Sequence, residues 1–218
     1  MTAKTVTFAV QIGSRGFDIA RLVAEKLRFR YYDWEVTSRA AAEAGVSPQT
    51  VAASEQRSTG LKRILEKLSA ASSFVRDDDT LEGPNTATME AAIRTLTLDD
   101  YRVFIEGVVK NLGEEGNAVI VGHASQLVFK DEAGVLKVLI CGSSKARAER
   151  LMQEEAMSKE RALASVQSSD RERINFFKQV YKVDLLDASL YDITLNTDNL
   201  SPSAAGDLVV RTAESLST

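Results

Sequence analysis

The sequence contains a single cysteine and a single histidine among its 218 residues. One cysteine cannot form an intrachain disulfide, so the class of disulfide-rich secreted domains is excluded. Cys141 ends the apolar run VLKVLIC and is therefore expected to be a buried, reduced thiol. One histidine cannot build a multi-histidine metal site, and there is no cysteine cluster to complete one. These shortages favour a protein of a reducing compartment, the cytoplasm.

The sequence also lacks long apolar runs and an excess of basic charge. No stretch approaches the roughly 20 apolar residues of a membrane span, and the first residues do not form the apolar segment of a signal peptide. The 27 Lys and Arg residues against 31 Asp and Glu residues give a net charge of −4, so no general basic field attracts nucleic acid or anionic membranes. We therefore expect a soluble, cytoplasmic protein with no nucleic-acid or membrane partner, in which any site for a polyanion is a local cluster.

The patterns that are present predict an α/β fold. Five short apolar or β-rich runs predict strands at residues 6–11, 29–32, 118–122, 136–141 and 191–196. Amphipathic helical patterns separate them, at residues 15–27, 98–112 and 144–152. Apolar strands that alternate with helices indicate a parallel sheet buried on both faces, so we expect one doubly wound α/β domain.

Two helical segments interrupt this alternation. About eighty-five residues separate the second predicted strand from the third, far more than the dozen or so that a crossover needs, and they include helical patterns at residues 35–44, 48–55 and 59–71. A second excursion, residues 158–181, precedes the fifth strand. Ligands of such sheets bind beyond the carboxyl ends of the strands, so we expect the site where these insertions begin.

The most informative segment is residues 5–27, where a predicted strand is followed by a turn with Gly13 and Gly16 and then by a helix. Glycines let a backbone approach a ligand, and the unpaired N–H groups and dipole of a helix N-terminus favour an anion, so this turn predicts phosphate binding. The common phosphate-loop pattern G-x-x-x-x-G-K-[ST] would add a lysine, but none occurs between Lys4 and Lys26. An ordinary turn between a strand and a helix is the alternative.

Two charged residues of this turn have two interpretations each. Arg15 either supplies the missing positive charge or is a solvated residue of the first helical turn. Asp18 either complements the helix dipole or holds a Mg²⁺ ion between phosphates. The spacing alone leaves both alternatives open.

Three further positions are candidates for chemistry. The helical segment SSDRERINFFKQVY contains Asp170, Arg171 and Arg173, and its arginines either clamp a phosphoryl group or form a solvated face. His123 follows the apolar pattern VIVG, where a histidine either contacts substrate or is structural. Asp33 follows the second predicted strand and either contacts ligand or caps the next helix.

Five parts of the sequence, in chain order, resemble the cytidylate kinase-like family. They are IGSRGFDIARLVAEKL, RYYDWEV, NAVIVGHASQLVF, SSKARAERLMQEEAMSKERALASVQSSDRERINFF and YDITLNTDNLSPSAAGDLV. Family members typically read GSGGREIA, YYD, VIVGRGA, a helix with R-x-x-R, a D-x-x-R lid and YDLxINT. The resemblance covers nearly the whole chain, is weakest from Val36 to Thr95, and rests on the order and spacing of the motifs.

The resemblance implies a three-layer α/β domain of the P-loop NTPase type, with a five-stranded parallel sheet, a helical monophosphate-binding insertion and a helical lid. The core would comprise residues 1–33, 96–157 and 182–218, the insertion residues 34–95 and the lid residues 158–181. The resemblance also implies ATP-dependent phosphoryl transfer, with Mg²⁺, to CMP, dCMP or a related small phosphate acceptor.

The resemblance further implies roles for individual residues. The expected ATP-binding positions are Gly13, Ser14, Arg15, Gly16, Phe17 and Asp18 of the turn, together with Arg147, which matches one of a pair of arginines with Arg150. Asp18 is also the expected Mg²⁺ ligand, and the expected substrate contacts are Asp33 and His123. The expected catalytic residues are Arg15, Asp170, Arg171 and Arg173.

The sequence departs from the family pattern where phosphates are expected. Ala9 and Val10 stand where relatives have Ser-Arg, and His123 stands where they have an arginine at the strand end. Phosphoryl transfer depends on positioning and charge neutralisation, so these changes leave a second hypothesis open: a non-catalytic nucleotide-binding sensor or interaction protein. A third hypothesis is a phosphotransferase with a different acceptor.

Overall fold

The computed structural model describes residues 3–33 and 98–216 of the chain. The predicted insertion, residues 34–95, and its helical patterns lie outside the described residues. The chain divides into two compact units, residues 1–33 with 109–218 and residues 34–108. The sheet and the site described below belong to the first unit.

Five strands form one sheet in this unit. They are β1 (Thr5–Val10), β2 (Arg30–Tyr32), β3 (Ala118–Val121), β4 (Val135–Cys141) and β5 (Ile193–Asn196). The order across the sheet is β2-β3-β1-β4-β5, and every neighbouring pair is parallel. Thr5 of β1 pairs with Ala118 of β3 on one side and with Val135 of β4 on the other. The predicted five-stranded parallel sheet is confirmed, with the first strand at its centre.

The described part of the chain contains six α-helices. They are α1 (Gly16–Leu27), α2 (Leu98–Glu114), α3 (Ser125–Val128), α4 (Ser144–Glu155), α5 (Lys159–Phe176) and α6 (Pro202–Glu214). α5 continues into a π-helical turn, Phe177–Tyr181, and a 3₁₀ turn spans Ala188–Leu190. The predicted lid segment is therefore helical. None of the helices in the described ranges combines the length and apolar character that a membrane crossing requires.

Alternate side chains of β1 face opposite layers. One buried cluster joins β1 to α1 and α6, and it includes Val6, Phe8, Val10, Ile19, Val23 and Val209. A second cluster on the opposite face joins β1 and β4 to the segment after α5, and it includes Ala9, Leu139, Phe177 and Leu185. Helical layers on both faces of the sheet confirm the three-layer α/β fold.

Cys141 was expected to be buried, and the structure corrects this. It is a free thiol that is only partly buried, because it is the last residue of β4 and lies at the carboxyl edge of the sheet. Its Sγ donates to the Leu195 carbonyl oxygen at 3.5 Å. Burial raises the pKa of the Cys141 thiol, so the neutral form is favoured.

α1 begins without a side-chain cap. Three other helices begin at serines whose hydroxyl oxygens accept a backbone hydrogen bond, Ser143 for α4, Ser158 for α5 and Ser201 for α6. The residue before α1 is Arg15, which has a left-handed backbone with φ 60° and whose side chain caps no backbone group. The first N–H groups of α1 are therefore available to a ligand beyond the end of β1.

Candidate functional site

The turn between β1 and α1 requires glycine at Gly13. Its φ is +71°, and a Cβ at this position would lie 2.5 Å from the carbonyl oxygen of Arg147 in α4. Ser14 N donates to Gln11 O at 3.1 Å and closes the turn. The turn backbone thus packs directly on the α4 backbone, which fixes its position.

The turn offers unpaired donors to an anion. Within the described ranges, the amide N–H groups of five residues donate to no protein acceptor: Gly13, Arg15, Gly16, Phe17 and Asp18. The hydroxyl of Ser14 is buried and also has no hydrogen-bond partner. Buried polar groups are nearly always paired, so an unpaired hydroxyl among unpaired amides at a helix N-terminus indicates an anion site. These groups fit the phosphates of a nucleotide.

The side chain of Val10 fills the space that a side chain at position 16 would need. A Cβ on Gly16 would lie 2.3 Å from Val10 Cγ1 and 2.7 Å from Val10 Cβ. Val10 is 3% exposed and belongs to the close-packed core, so it cannot turn aside. Val10 therefore excludes a lysine at position 16. The valine that ends β1 and the glycine at position 16 therefore belong to one packing arrangement.

Arg15 is the cationic side chain of the turn. Its Nε donates to Asp18 Oδ2 at 3.3 Å, and the two side chains are 46% and 49% exposed. A half-exposed ion pair contributes little to stability, so Arg15 can exchange Asp18 for a phosphate oxygen at little cost. The turn thus keeps a positive charge without the lysine.

Asp18 is the predicted magnesium ligand, and it lies in the first turn of α1. Residues 3–33 and 98–216 contain no group of three or more His, Cys, Asp or Glu side chains placed to hold a metal ion. Mg²⁺ in nucleotide sites is commonly held by one or two carboxylates, with phosphates and water completing the shell. A single carboxylate beside an anion site fits that requirement.

The structure brings the two predicted substrate residues together. His123 Nε2 lies 3.2 Å from the carbonyl oxygen of Asp33, which joins the end of β3 to the end of β2. Tyr31 donates its hydroxyl hydrogen to Asp33 Oδ2 at 3.2 Å. Burial, followed by the nearby Asp33 carboxylate, raises the pKa of Tyr31 to about 12. The phenol therefore remains a hydrogen-bond donor to Asp33 throughout the neutral range.

Three consecutive residues after β3 have a left-handed backbone: Gly122 (φ 82°), His123 (φ 55°) and Ala124 (φ 52°). This conformation costs a residue other than glycine about 1–2 kcal/mol. The segment is held by hydrogen bonds from Gly122 N to Phe8 O at 2.8 Å and from Ser125 N to Gly122 O at 3.0 Å. Strained backbone of this kind is concentrated at ligand sites, which strengthens His123 as a candidate.

α5, the helix of the predicted lid, reaches the turn through Asp170 and Arg173. The Asp170 carboxylate accepts hydrogen bonds from Arg147 Nη1 at 3.0 Å, from Arg147 Nη2 at 2.5 Å and from Gln11 Nε2 at 3.2 Å. Arg147 is 2% exposed, so this ion pair is largely buried. Arg173 donates to the Val10 carbonyl oxygen. Arg171 is exposed, so only two of the three predicted lid residues are bound to the core.

Sequence reasoning did not single out Gln11 or Thr197. The Gln11 side chain bridges two segments, since its Oε1 accepts from Gly142 N at 3.3 Å and its Nε2 donates to Asp170. Thr197 is 1% exposed, and its hydroxyl lies 3.0 Å from Ser14 O. Each is a polar residue directly after a strand, which is the one signal that the sequence offered for them.

A parallel sheet whose central strand leads through a glycine turn into an uncapped helix defines a three-layer α/β domain with a candidate anion site at the start of its first helix. Within this class, the chain belongs to the cytidylate kinase-like family, whose model matches residues 5–199. The resemblance seen in the sequence is thereby confirmed.

Individual relatives match part of the chain. The cytidylate kinase of Methanopyrus kandleri is 28% identical over 110 residues, which cover 47% of this chain and 57% of that protein. The cytidylate kinase of Pyrococcus horikoshii is 29% identical over 96 residues, 44% of this chain and 49% of that protein. The matches thus span about half the length of these relatives. A crystal structure of an uncharacterized protein from Eubacterium ventriosum shares the fold, with a TM-score of 0.62, 15% identity and coverage of 96% of this chain and 97% of that one.

Proposed function

We propose that this protein transfers a phosphoryl group from ATP, with Mg²⁺, to a nucleoside monophosphate of the CMP or dCMP kind or to a related small phosphate acceptor. The observation that carries the proposal is the order of three neighbouring strands. Because β2, β3 and β1 are adjacent, Asp33, His123 and the Gly13 turn follow three successive strand ends at one edge of the sheet. Donor and acceptor groups placed side by side are what an in-line transfer needs. Membership of the cytidylate kinase-like family supports the same choice.

The donor phosphates are assigned to the turn and to the start of α1. The unpaired amides from Gly13 to Asp18, with the Ser14 hydroxyl, donate hydrogen bonds to phosphate oxygens. Phe17 contributes its amide, since its side chain is 42% exposed. Arg15 neutralises phosphate charge and Asp18 is the Mg²⁺ ligand. ATP, when bound, supplies the γ-phosphoryl group, whose phosphorus bonds to an acceptor oxygen as ADP leaves.

The acceptor is assigned to the ends of β2 and β3. The Asp33 carboxylate, to which Tyr31 donates, can accept hydrogen bonds from the hydroxyl or amino groups of a nucleoside. His123 occupies the position at which relatives have an arginine and is our choice for the acceptor phosphate.

The lid cation is assigned to Arg171. Asp170 and Arg173 already bind the core, whereas the guanidinium of Arg171 is exposed. An arginine presents planar donors that match the oxygens of a transferring phosphoryl group. Arg171 is therefore proposed as the catalytic residue of the lid, and Asp170 as the residue that aligns the lid on Arg147.

A coupled assay with ATP and Mg²⁺ across the nucleoside monophosphates tests the proposal. We expect turnover with CMP or dCMP, and we expect Arg171→Ala to lower kcat by about 10³ or more, because an arginine on the transferred phosphoryl group contributes about 10³ to 10⁵. Arg161→Ala is the matched control, since it is exposed on the same helix and roughly 15 Å away along its axis. Its kcat should be unchanged. Failure of every acceptor to exceed background contradicts the kinase proposal.

A second candidate function is a nucleotide-binding protein without catalysis. Val10 favours it, because this side chain leaves no room for a cationic side chain at position 16 of the turn. Isothermal titration calorimetry distinguishes the two functions when it is combined with the assay. Binding of ATP or CMP without turnover supports the second function, and any specific turnover rules it out.

A further inference from the structure

We infer that Arg147 and Thr197 are positioning residues of the phosphate-binding turn. They orient its amide N–H groups by donating hydrogen bonds to its carbonyl oxygens. With Arg150 and Arg173 they form a set of four side chains that we call the carbonyl frame. The inference rests on the proposed function in one respect, since it takes the anion at the turn to be the phosphate chain of the donor.

The carbonyl frame accounts for four consecutive or nearly consecutive carbonyl groups. Its hydrogen bonds run from Arg173 to Val10 O, from Arg147 Nη1 to Ile12 O at 3.3 Å, from Arg150 Nη1 to Gly13 O at 3.2 Å and from Thr197 Oγ1 to Ser14 O at 3.0 Å. The remaining carbonyl, Gln11 O, accepts from Ser14 N. Every carbonyl of residues 10–14 is therefore bound, although the amides of the same turn are mostly unpaired.

Peptide geometry links the bound carbonyl groups to the directions of the unpaired N–H groups. In a planar trans peptide the C=O of one residue and the N–H of the next point in opposite directions. A donor on Ile12 O therefore sets the direction of the Gly13 N–H, and a donor on Ser14 O sets that of the Arg15 N–H. Both N–H groups are among the unpaired donors of the anion site. Arg147 and Thr197 thus orient two phosphate donors without touching the phosphate.

The environment of Arg147 argues against a direct contact with phosphate. Its Nε donates to Gly142 O at 2.8 Å, and its two terminal nitrogens bind Ile12 O and the Asp170 carboxylate. Four of its five N–H donors are therefore used. The Asp170 carboxylate also offsets its positive charge, so Arg147 acts through the geometry of the turn.

Thr197 has one hydroxyl proton and two carbonyl oxygens within reach, Ser14 O at 3.0 Å and Cys141 O at 3.1 Å. Cys141 O already accepts from the Thr197 backbone N–H at 2.9 Å, whereas Ser14 O has no other donor among the described residues. Arg150 Nη1 donates to the Thr197 hydroxyl oxygen at 3.1 Å. The hydroxyl proton is therefore assigned to Ser14 O.

Thr197→Val and Thr197→Ser in the full chain test the inference. Valine keeps the shape of threonine and removes the hydroxyl, and serine restores it. We expect Thr197→Val to weaken the affinity for ATP and for inorganic tripolyphosphate about tenfold, as measured by calorimetry. The KM for ATP should rise, whereas the KM for the acceptor should not change. The reason is the loss of a hydrogen bond to a turn that binds a charged group. The affinity of Thr197→Ser for both ligands should stay within about twofold of that of the wild-type protein. Thr212→Val is the matched control, because Thr212 Oγ1 also donates to a backbone carbonyl, Leu208 O at 2.9 Å, but in α6.

Hydrogen exchange of the ligand-free protein separates this inference from the proposed function. The Ser14 amide, which donates to Gln11 O, should exchange faster in Thr197→Val than in Thr197→Ser. If the wild-type protein binds neither ATP nor tripolyphosphate, the proposed function fails. Faster exchange of the Ser14 amide in Thr197→Val would still support the carbonyl frame. Either of two results for Thr197→Val overturns the inference. The first is wild-type affinity for a ligand that the wild-type protein binds, and the second is wild-type exchange of the Ser14 amide. Should Thr197→Val not fold, Arg150→Lys tests the same frame by the same two measurements.

Discussion

Arg15 has a backbone conformation that suits glycine better than arginine. It lies in the left-handed region with φ 60° immediately before α1, and its ion pair with Asp18 is half-exposed. We predict that Arg15→Gly raises the free energy of unfolding by about 1 kcal/mol, because the relief of left-handed strain exceeds the loss of a weak ion pair. The same substitution should weaken ATP binding, since it removes the cation of the turn. Urea unfolding and calorimetry measure the two effects.

Arg211→Gly is the control for this prediction. Arg211 is an exposed arginine within α6, where glycine is unfavourable, so the variant should lose about 1 kcal/mol. A loss of stability in Arg15→Gly as large as that in Arg211→Gly would contradict the strain assigned to Arg15.

At the residue scale the sequence predicted the anion site but not its strain. Gly13 and Gly16 were identifiable because a strand preceded them and a helix followed. The left-handed conformations of His123 and Ala124 leave no local pattern, since their φ values are imposed by the contacts of the strand end. The buried, unpaired hydroxyl of Ser14 was equally invisible, because burial is a property of the folded chain.

At the element scale, the turn after β1 brings Val10 so close to position 16 that any side chain there would clash with it. We predict that Gly16→Lys is strongly destabilising, because its Cβ would lie 2.3 Å from Val10 Cγ1. Val10→Gly is itself destabilising since it empties part of the core. The double variant should lose less free energy of unfolding than the two single variants lose together. The difference should be about 1–3 kcal/mol, within the range found for residues in contact.

Urea unfolding of the four proteins of this cycle measures the coupling. Gly16→Ala in place of Gly16→Lys is the control, because alanine carries the clashing Cβ without the charge and should couple to Val10→Gly in the same way. Additive effects in both cycles would show that Val10 does not exclude side chains at position 16.

At the element scale, periodicity located the strands to within one or two residues and the lid helix to its full length. Apolar runs made this possible for the three central strands, β1, β3 and β4, which are largely buried on both faces. The partners of the lid could not be predicted in the same way. Asp170 meets Arg147 and Gln11 only because α5 packs against α4, and such a pairing depends on three-dimensional contacts between residues far apart in sequence.

On the scale of the whole molecule, the Arg147–Asp170 pair joins α5, the predicted lid helix, to the turn after β1. We predict that Asp170→Asn lowers the free energy of unfolding by about 3 kcal/mol, because it leaves the guanidinium of Arg147, which is 2% exposed, without its countercharge. The double variant Arg147→Met with Asp170→Leu should lose less than Asp170→Asn, since no buried charge remains. Urea unfolding provides both values.

Glu172→Gln is the control for the loss of charge on the lid. Glu172 is exposed on the same helix and pairs with Ser168, so its removal should change stability by less than about 0.5 kcal/mol. Equal losses from Asp170→Asn and Glu172→Gln would mean that the buried pair does not fasten the lid.

The central position of β1 has a consequence for the synthesis of the chain. All six residues of this strand are buried in the finished sheet, yet Thr5 pairs with Ala118 and with Val135, at least 113 residues later. At roughly 5–20 residues per second, a ribosome needs on the order of 6–20 s to make the nearer partner. During that interval the apolar strand that leads into the phosphate-binding turn has neither of its neighbours. The nascent chain therefore carries an unpaired apolar strand throughout this interval, which is when a chaperone would have most to protect.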